Sequence, residues 1–152
     1  MAFDFAQAEK KLDMKKTAEK AQNVGRWAKI MIKWALRFTS KNKRWQIVSF
    51  EGPKKMESAG IVDLIAIRRD YNKPIQSPLK PGDLFEIIFI QVKGGSAPEP
   101  SAEDKKRLLS VSDYYGAKHV VLAEWKKGKS PIFKTLSKDL KWELVDPADI
   151  FK

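Results

Sequence analysis

Short apolar runs alternate along this chain with segments in which apolar residues recur at helical spacing. The runs IVDLIAI (61–67) and LFEIIFI (84–90) are rich in Ile and Phe and are bounded by turn residues, which predicts two strands. Four further strands are predicted at 45–50, 119–125, 131–136 and 141–145. Ser101 is expected to cap a helix that runs to about Tyr115, with Gly116 ending it. The order of helix, three strands, helix and strand predicts an α/β fold with a mixed sheet.

The first helix is predicted over residues 23–39, with Asn23 as its N-cap. Residues 1–22 are expected to form an N-terminal helical arm, and residues 23–152 the domain itself. One helix face is predicted to be buried in the core, and it carries Trp27, Ile30, Met31, Trp34 and Phe38. A second apolar face carries Ala28, Ile32 and Leu36. This second face is expected to pack under the arm or against another copy of the chain, giving a homodimer.

The charge pattern points to a polyanionic partner. The chain has 30 Lys and Arg against 19 Asp and Glu, a net charge of +11. No acid lies between Glu19 and Glu51, a stretch that contains eight cations. Such a distribution is typical of nucleic-acid binding and predicts DNA contacts from the basic helix stripe and from the loop before Asp63. The predicted contact residues are Arg26, Lys29, Lys33, Arg37, Lys54 and Lys55.

Other functional classes are excluded by composition. The chain has no cysteine and a single histidine, His119, so disulfides, Cys-type metal sites and His-rich metal sites are ruled out. No apolar run approaches the ~20 residues needed to span a membrane. The first 16 residues lack the apolar core and cleavage site of a signal peptide. The expected location is therefore the cytoplasm, in association with DNA.

The candidate chemistry lies where the two central strands end. Asp63 interrupts the apolar run of the second strand, and a charge there is costly without a partner or a function. Gln91 and Lys93 follow the third apolar run and share one strand face because side chains alternate. If the strands are neighbours, the three side chains converge and can bind a divalent metal and a phosphate. The alternative interpretation is a strand-end polar cluster that meets solvent.

These residues resemble the PD-(D/E)xK nucleases. GIVDLIAIRRD resembles the family's strand that opens with an Asp, and FEIIFIQVKGG resembles its strand that ends in acid-x-Lys. SAEDKKRLLSVSDYYGA and HVVLAEW resemble the following helix and strand of archaeal Holliday-junction resolvases and Mrr-type restriction enzymes. The resemblance covers residues 23 to about 125. It implies a restriction-endonuclease-like αβββαβ core, with a central mixed sheet flanked by helices, and Mg²⁺- or Mn²⁺-dependent cleavage of DNA.

The resemblance also implies roles for individual residues. Asp63 would be the bridging metal ligand, Gln91 would occupy the position of the second acid, and the Val92 carbonyl would complete the protein's share of the coordination. Lys93 would orient the attacking water or stabilise the charge on the phosphate. Gln91 departs from the family's acid, although Mrr-type members are similar in carrying Gln there. The acid that many members place on the first helix is missing, and Glu19 and Glu51 are its candidate substitutes.

Three functional hypotheses follow from the sequence. The first is a metal-dependent DNA endonuclease, with branched DNA as one class of substrate. The second is a nucleic-acid-binding module that retains the nuclease fold without catalysis, which the missing helix acid and Gln91 favour. The third is a basic RNA-associated protein in which Asp63 and Lys93 form a structural ion pair.

Overall fold

The computed structural model of the protein describes residues 4–39, 44–50, 60–72 and 76–152. Three helices and six strands lie in these ranges, in the predicted order. Their bounds are α1 Phe5–Thr39, β1 Gln46–Ser49, β2 Leu64–Asp70, β3 Leu84–Gly94, α2 Ala102–Tyr115, β4 His119–Trp125, β5 Ile132–Leu136, β6 Trp142–Val145 and α3 Pro147–Ile150. The predicted mixed α/β class is confirmed.

All six strands form one sheet in the order β1-β2-β3-β4-β5-β6. β3 and β4 are parallel because α2 crosses between them, and every other neighbouring pair is antiparallel. β3 and β4 are the two central strands in this order, and their most apolar segments are buried. The ends of β3 and β4 that follow these segments, together with the start of β2, lie at one end of the sheet.

The two long helices cover opposite faces of the sheet. Ile32 and Leu36 of α1 pack in one core with Ile88 and Ile90 of β3. Phe89 lies between these two strand residues and therefore points to the other face, where its ring meets Tyr115 of α2 edge-on. The predicted flanking of a mixed sheet by helices is thereby confirmed for α1 and α2.

The predicted orientation of the first helix is wrong. Among its described side chains, Ala28, Ile32 and Leu36 are the buried ones, whereas Trp27 and Trp34 are more than half exposed. The smaller side chains let the helix approach the sheet closely, so this face, and not the tryptophan face, enters the core. A second copy of the chain is therefore not needed to cover Ala28, Ile32 and Leu36, and the homodimer stays a prediction.

The predicted start of the first helix at Asn23 is also wrong. α1 is continuous from Phe5 to Thr39, a length of about 50 Å at 1.5 Å per residue. The proposed arm is therefore the first half of this helix, and its residues 4–17 are all exposed. The division into an arm and a domain stays a prediction. No helix in the described ranges is long and apolar enough to cross a membrane.

The second helix follows its capping signals. The Ser101 side chain accepts a hydrogen bond from the Asp104 backbone N–H at 3.2 Å, and Glu103 and Asp104 lie in the positively polarised first turn. Gly116 adopts the left-handed conformation (φ 64°) that ends the helix. α2 thus returns the chain to the start of β4, which sets β4 parallel to β3.

Candidate active site

Asp63 lies at the point where the β2–β3 ladder becomes irregular. The regular register ends with Leu64 opposite Ile90, and its continuation would place Asp63 opposite Gln91. The Asp63 backbone N–H donates to the Ile90 carbonyl at 3.1 Å, one residue out of this register. Its own carbonyl accepts from the Phe50 N–H at 3.3 Å, so this residue joins β3 to the chain that leaves β1.

The Asp63 carboxylate replaces a backbone acceptor in this irregular stretch. Its Oδ2 accepts a hydrogen bond from the Val92 N–H at 2.8 Å. A regular ladder would offer that N–H the carbonyl of Val62 instead. Since the N–H and C=O of one strand residue point to the same edge, the Val92 carbonyl is also directed toward the β2 side. The predicted acid and the predicted carbonyl ligand therefore lie beside each other.

Gln91 places a buried polar atom at this end of the sheet. Its side-chain Oε1 is buried and has no hydrogen-bond partner within the described ranges of the chain. A buried amide oxygen without a partner costs about 1–3 kcal/mol, so such atoms are rare unless a ligand or water satisfies them. This unpaired oxygen lies on the strand residue next to Val92, at the same end of the sheet as Asp63.

Lys93 follows two residues later, on the same face of β3 as Gln91 and about 7 Å along the strand. Its side chain is half-buried. In the part of the chain that the structure describes, its ammonium group forms no ion pair within 4 Å. A positive charge is thereby held beside the candidate ligands without being neutralised by direct contact.

The neighbouring strands add an ion-pair cluster that sequence analysis missed. Glu124 of β4 lies opposite Lys93 in the parallel register. Lys134 of β5 joins the carboxylates of Glu124 and Glu99, each at 3.1 Å. The signal in the sequence was a Glu near the end of the β4 apolar run, but its position beside Lys93 depends on the strand order.

The electrostatics of this cluster follow from its contacts. Hydrogen bonding to Lys134 lowers the pKa of the Glu99 carboxyl, and the charge of Lys93 adds a smaller effect in the same direction. Hydrogen bonds to Glu99 and then Glu124 raise the pKa of Lys134. His119 lies at the other end of β4, away from these groups, and burial lowers its pKa. Glu99 and Lys134 therefore both stay charged at neutral pH.

Several predicted residues do not contribute described side chains to this site. Glu51, Lys54 and Lys55 lie outside the described residues, and so does the side chain of Glu19 within α1. The four basic residues predicted on the first helix are Arg26, Lys29, Lys33 and Arg37. They lie on α1, where the two arginines are exposed and the two lysines are half-buried.

The donor set fits a hard divalent cation better than a soft one. Asp63, the Gln91 amide oxygen and the Val92 carbonyl are all oxygen ligands, the type that Mg²⁺ and Mn²⁺ prefer. The unpaired Gln91 Oε1 is the observation that favours such a ligand here. Among the described residues, no group of three or more His, Cys, Asp or Glu side chains is placed to hold a metal ion. Any such ion would thus be held largely by neutral oxygens and water.

Comparison with known proteins does not place the chain in a family. No protein-family model matches the sequence, and no curated protein matches it. Its function has to be inferred from the residues of the site and from the charge of its surface.

Proposed function

We propose that this protein is a metal-dependent DNA endonuclease with a restriction-endonuclease-like αβββαβ core. The element order α1, β1, β2, β3, α2, β4 is compatible with that core. The observation that carries the proposal is the arrangement at one end of the sheet. Asp63, Gln91 and Lys93 lie where β2 leaves the regular ladder with β3. Among the described residues, the Gln91 oxygen has no hydrogen-bond partner and Lys93 forms no ion pair.

Asp63, Gln91 and the Val92 carbonyl would hold Mg²⁺ or Mn²⁺. When bound, such an ion lowers the pKa of a coordinated water and neutralises charge on a phosphate oxygen. The Val92 N–H fixes the orientation of the Asp63 carboxylate through its 2.8 Å hydrogen bond. Lys93 places a fixed positive charge where negative charge develops on the scissile phosphate, and such preorganised groups contribute strongly to catalysis.

The surface charge supports DNA as the substrate. The basic residues of α1 (Arg26, Lys29, Lys33 and Arg37) would bind the phosphate backbone, as would Lys54 and Lys55 in the sequence before Asp63. Each neutralised phosphate releases counterions, so affinity would fall steeply with salt. None of these contacts depends on base identity, and the proposal therefore includes linear and branched DNA as substrates.

A second candidate function is DNA binding without catalysis. The Asp63 carboxylate already has a structural use, since it accepts the Val92 N–H. The residue beside it is a neutral Gln, and α1 carries no acid from Lys20 to Thr39. These features favour a module that retains the fold and the basic surface but cleaves nothing.

Cleavage assays separate the two candidates. The purified protein is incubated with four-way junction, linear duplex, single-stranded and supercoiled DNA in Mg²⁺, Mn²⁺ or EDTA. Asp63→Asn is the informative variant because its amide oxygen can still accept from Val92 while the charge is lost. We expect Asp63→Asn and Lys93→Ala each to lower the cleavage rate by about 100-fold or more at unchanged folding.

Lys138→Ala is the matched control, since this exposed lysine lies in the β5–β6 turn at the other end of the sheet. Its cleavage rate is expected to equal that of the unaltered protein. Binding of all the DNAs without metal-dependent cleavage would instead support the non-catalytic module. Cleavage that survives in Asp63→Asn would contradict the proposed site.

A further inference from the structure

The outer face of α1 exposes an unusual set of aromatic and apolar side chains. Trp27 is 55% exposed, Ile30 45% and Trp34 59%. These residues lie on the helix side opposite Ala28, Ile32 and Leu36, which are buried against the sheet. Large apolar side chains that share one exposed face are typical of a surface that binds a partner.

A basic stripe borders this face of the helix. Arg26 and Arg37 are exposed next to the tryptophan face, and the half-buried Lys33 and Lys29 lie further round the helix, toward its buried face. No acidic residue occurs between Lys20 and Thr39. The partner therefore has to provide negative charge to the cations and flat or apolar groups to the indole rings.

We propose that the outer face of α1 binds single-stranded DNA, with bases stacked on Trp27 and Trp34. Aromatic platforms combined with a basic groove are the usual means of binding a single strand without sequence preference. The two tryptophans are seven positions apart, which is about two helical turns or 10 Å along the axis. That rise corresponds to about three nucleotides at the 3.4 Å spacing of one strand. Lys33 would then bind a phosphate between the two stacked bases, and Arg26 and Arg37 would bind phosphates on either side of them.

A second copy of the chain is the main alternative occupant, and the charges argue against it. Pairing residues 20–39 of two α1 helices face to face would bring at least four cations of each segment together without an acid from either segment. Duplex DNA satisfies the cations but keeps its bases inside the stack, away from the indoles. A single strand satisfies both the charge and the rings.

The choice of DNA over RNA rests on the proposed nuclease function. The binding itself does not, because it requires neither Asp63 nor a metal. A strand held on α1 would be the unpaired region of a branched or frayed substrate. The outer face of α1 would thereby determine substrate class, while the site at Asp63 would perform the cleavage.

Binding is measured by fluorescence anisotropy with a labelled oligothymidylate and a labelled duplex, both in EDTA so that no cleavage occurs. The informative pair of variants is Trp27→Leu/Trp34→Leu and Trp27→Tyr/Trp34→Tyr. Both pairs keep apolar bulk on an exposed face, but only Tyr keeps an aromatic ring. Leu144→Ala is the control, because Leu144 is also an exposed apolar side chain but lies on β6.

We expect the Leu pair to weaken oligothymidylate binding by about tenfold or more and the Tyr pair by less than about threefold. Duplex binding and the control should change by less than about twofold in either case. Equal losses for the Leu and Tyr pairs, or equal losses for single strand and duplex, would overturn the proposal. So would conversion of a dimer to a monomer in the Leu pair, measured by light scattering.

The outcome is independent of the cleavage assay. A protein that binds oligothymidylate through the tryptophans but cleaves nothing would retain this inference and reject the nuclease. If the Leu pair instead cleaves DNA at the unaltered rate and binds oligothymidylate as tightly as the Tyr pair does, the nuclease is retained and this inference is rejected. Tighter binding of an oligouridylate than of oligothymidylate would overturn the choice of DNA.

Discussion

The two ends of the β2–β3 pair both carry polar side chains, and the Arg68–Glu86 pair at one end is matched internally in a way that Gln91 at the other end is not. At the end away from the candidate site, Arg68 lies directly opposite Glu86 and its Nε donates to the Glu86 carboxylate. The Arg68 guanidinium also donates to the Lys152 carbonyl at 2.6 Å and lies 4.1 Å from the centre of the Trp45 ring. Lys118 approaches the same carboxylate at 3.8 Å.

At the candidate site the same two strands leave polar groups unsatisfied. The Gln91 Oε1 is buried without a partner, and Lys93 lies beside Glu124 in the sheet without pairing with it in the described structure. Polar residues that serve stability are matched by close partners, as Arg68 and Glu86 are. Residues that are left unmatched at a cost are candidates for binding something outside the chain. This difference distinguishes a structural ion pair from a functional site on the same two strands.

The largest effect on stability is expected from Arg68→Ala. The Arg68 and Glu86 side chains are only 13% and 11% exposed, so removing the guanidinium leaves a mostly buried carboxylate with Lys118 as the one remaining cation near it among the described residues. We expect a loss of about 3 kcal/mol in the free energy of unfolding, measured in urea. Cleavage per folded molecule should not change, because this end of the strands is remote from Asp63.

Two further variants test the same explanation. Arg68→Met combined with Glu86→Leu removes both charges and should recover most of the lost stability, since a paired charge can be replaced by apolar contact. Arg107→Ala breaks an exposed pair with Asp104 and should cost less than about 0.5 kcal/mol. A loss below about 1 kcal/mol for Arg68→Ala would show that this end is not held by its ion pair.

A smaller effect on stability, which a divalent metal should cancel, is expected from Gln91→Glu. A second carboxylate would be buried close to that of Asp63, which should lower the free energy of unfolding by about 1–3 kcal/mol in EDTA. Mg²⁺ or Mn²⁺ should restore that stability, because the cation neutralises both carboxylates. Thermal unfolding at increasing metal concentration measures the recovery.

Gln91→Met is the matched variant without a polar atom. It removes the unpaired oxygen, so it should be neutral or slightly stabilising in EDTA and should show no response to metal. If Gln91→Glu is destabilised equally in EDTA and Mg²⁺, the end of β3 does not hold a divalent cation. The two ends of the β2–β3 pair would then differ only in how their side chains pack.

The sequence predicts the elements well where local signals are strong. Ser101 and Gly116 delimit α2 because a cap and a left-handed glycine act within a few residues. The apolar runs around Ile65 and Ile88 become the interior strands β2 and β3 because they are too apolar to lie at a surface. Asp63, Gln91 and Lys93 could also be placed at one end of the sheet, since strand alternation and one pairing suffice.

Other features depend on which surfaces meet, and the sequence does not contain that information locally. The first helix has two apolar faces, and aromatic content favours the one with Trp27 and Trp34. Close approach to the sheet favours the one with Ala28 and Ile32, and packing decides the outcome. Glu124 and Lys134 were missed for a similar reason, since their position beside Lys93 requires the order of three strands.

The smallest predicted effect concerns the pH dependence of the Glu99–Lys134 contact. Lys134 lowers the pKa of Glu99 below its ordinary value of 4.5, so the stabilisation is fully present above that value. It is lost as the pH falls through the lowered pKa, because protonation removes the charge that Lys134 holds. Glu99→Gln should therefore flatten the acid side of a stability-against-pH curve while changing stability at pH 7 only slightly, since Glu99 is exposed.

Asp139→Asn is the control, because it removes an exposed acid in the β5–β6 turn and should leave the curve unchanged. An identical acid limb for Glu99→Gln and the unaltered protein would mean that Lys134 is held by Glu124 alone, and the cluster beside Lys93 would then consist of one carboxylate and not two.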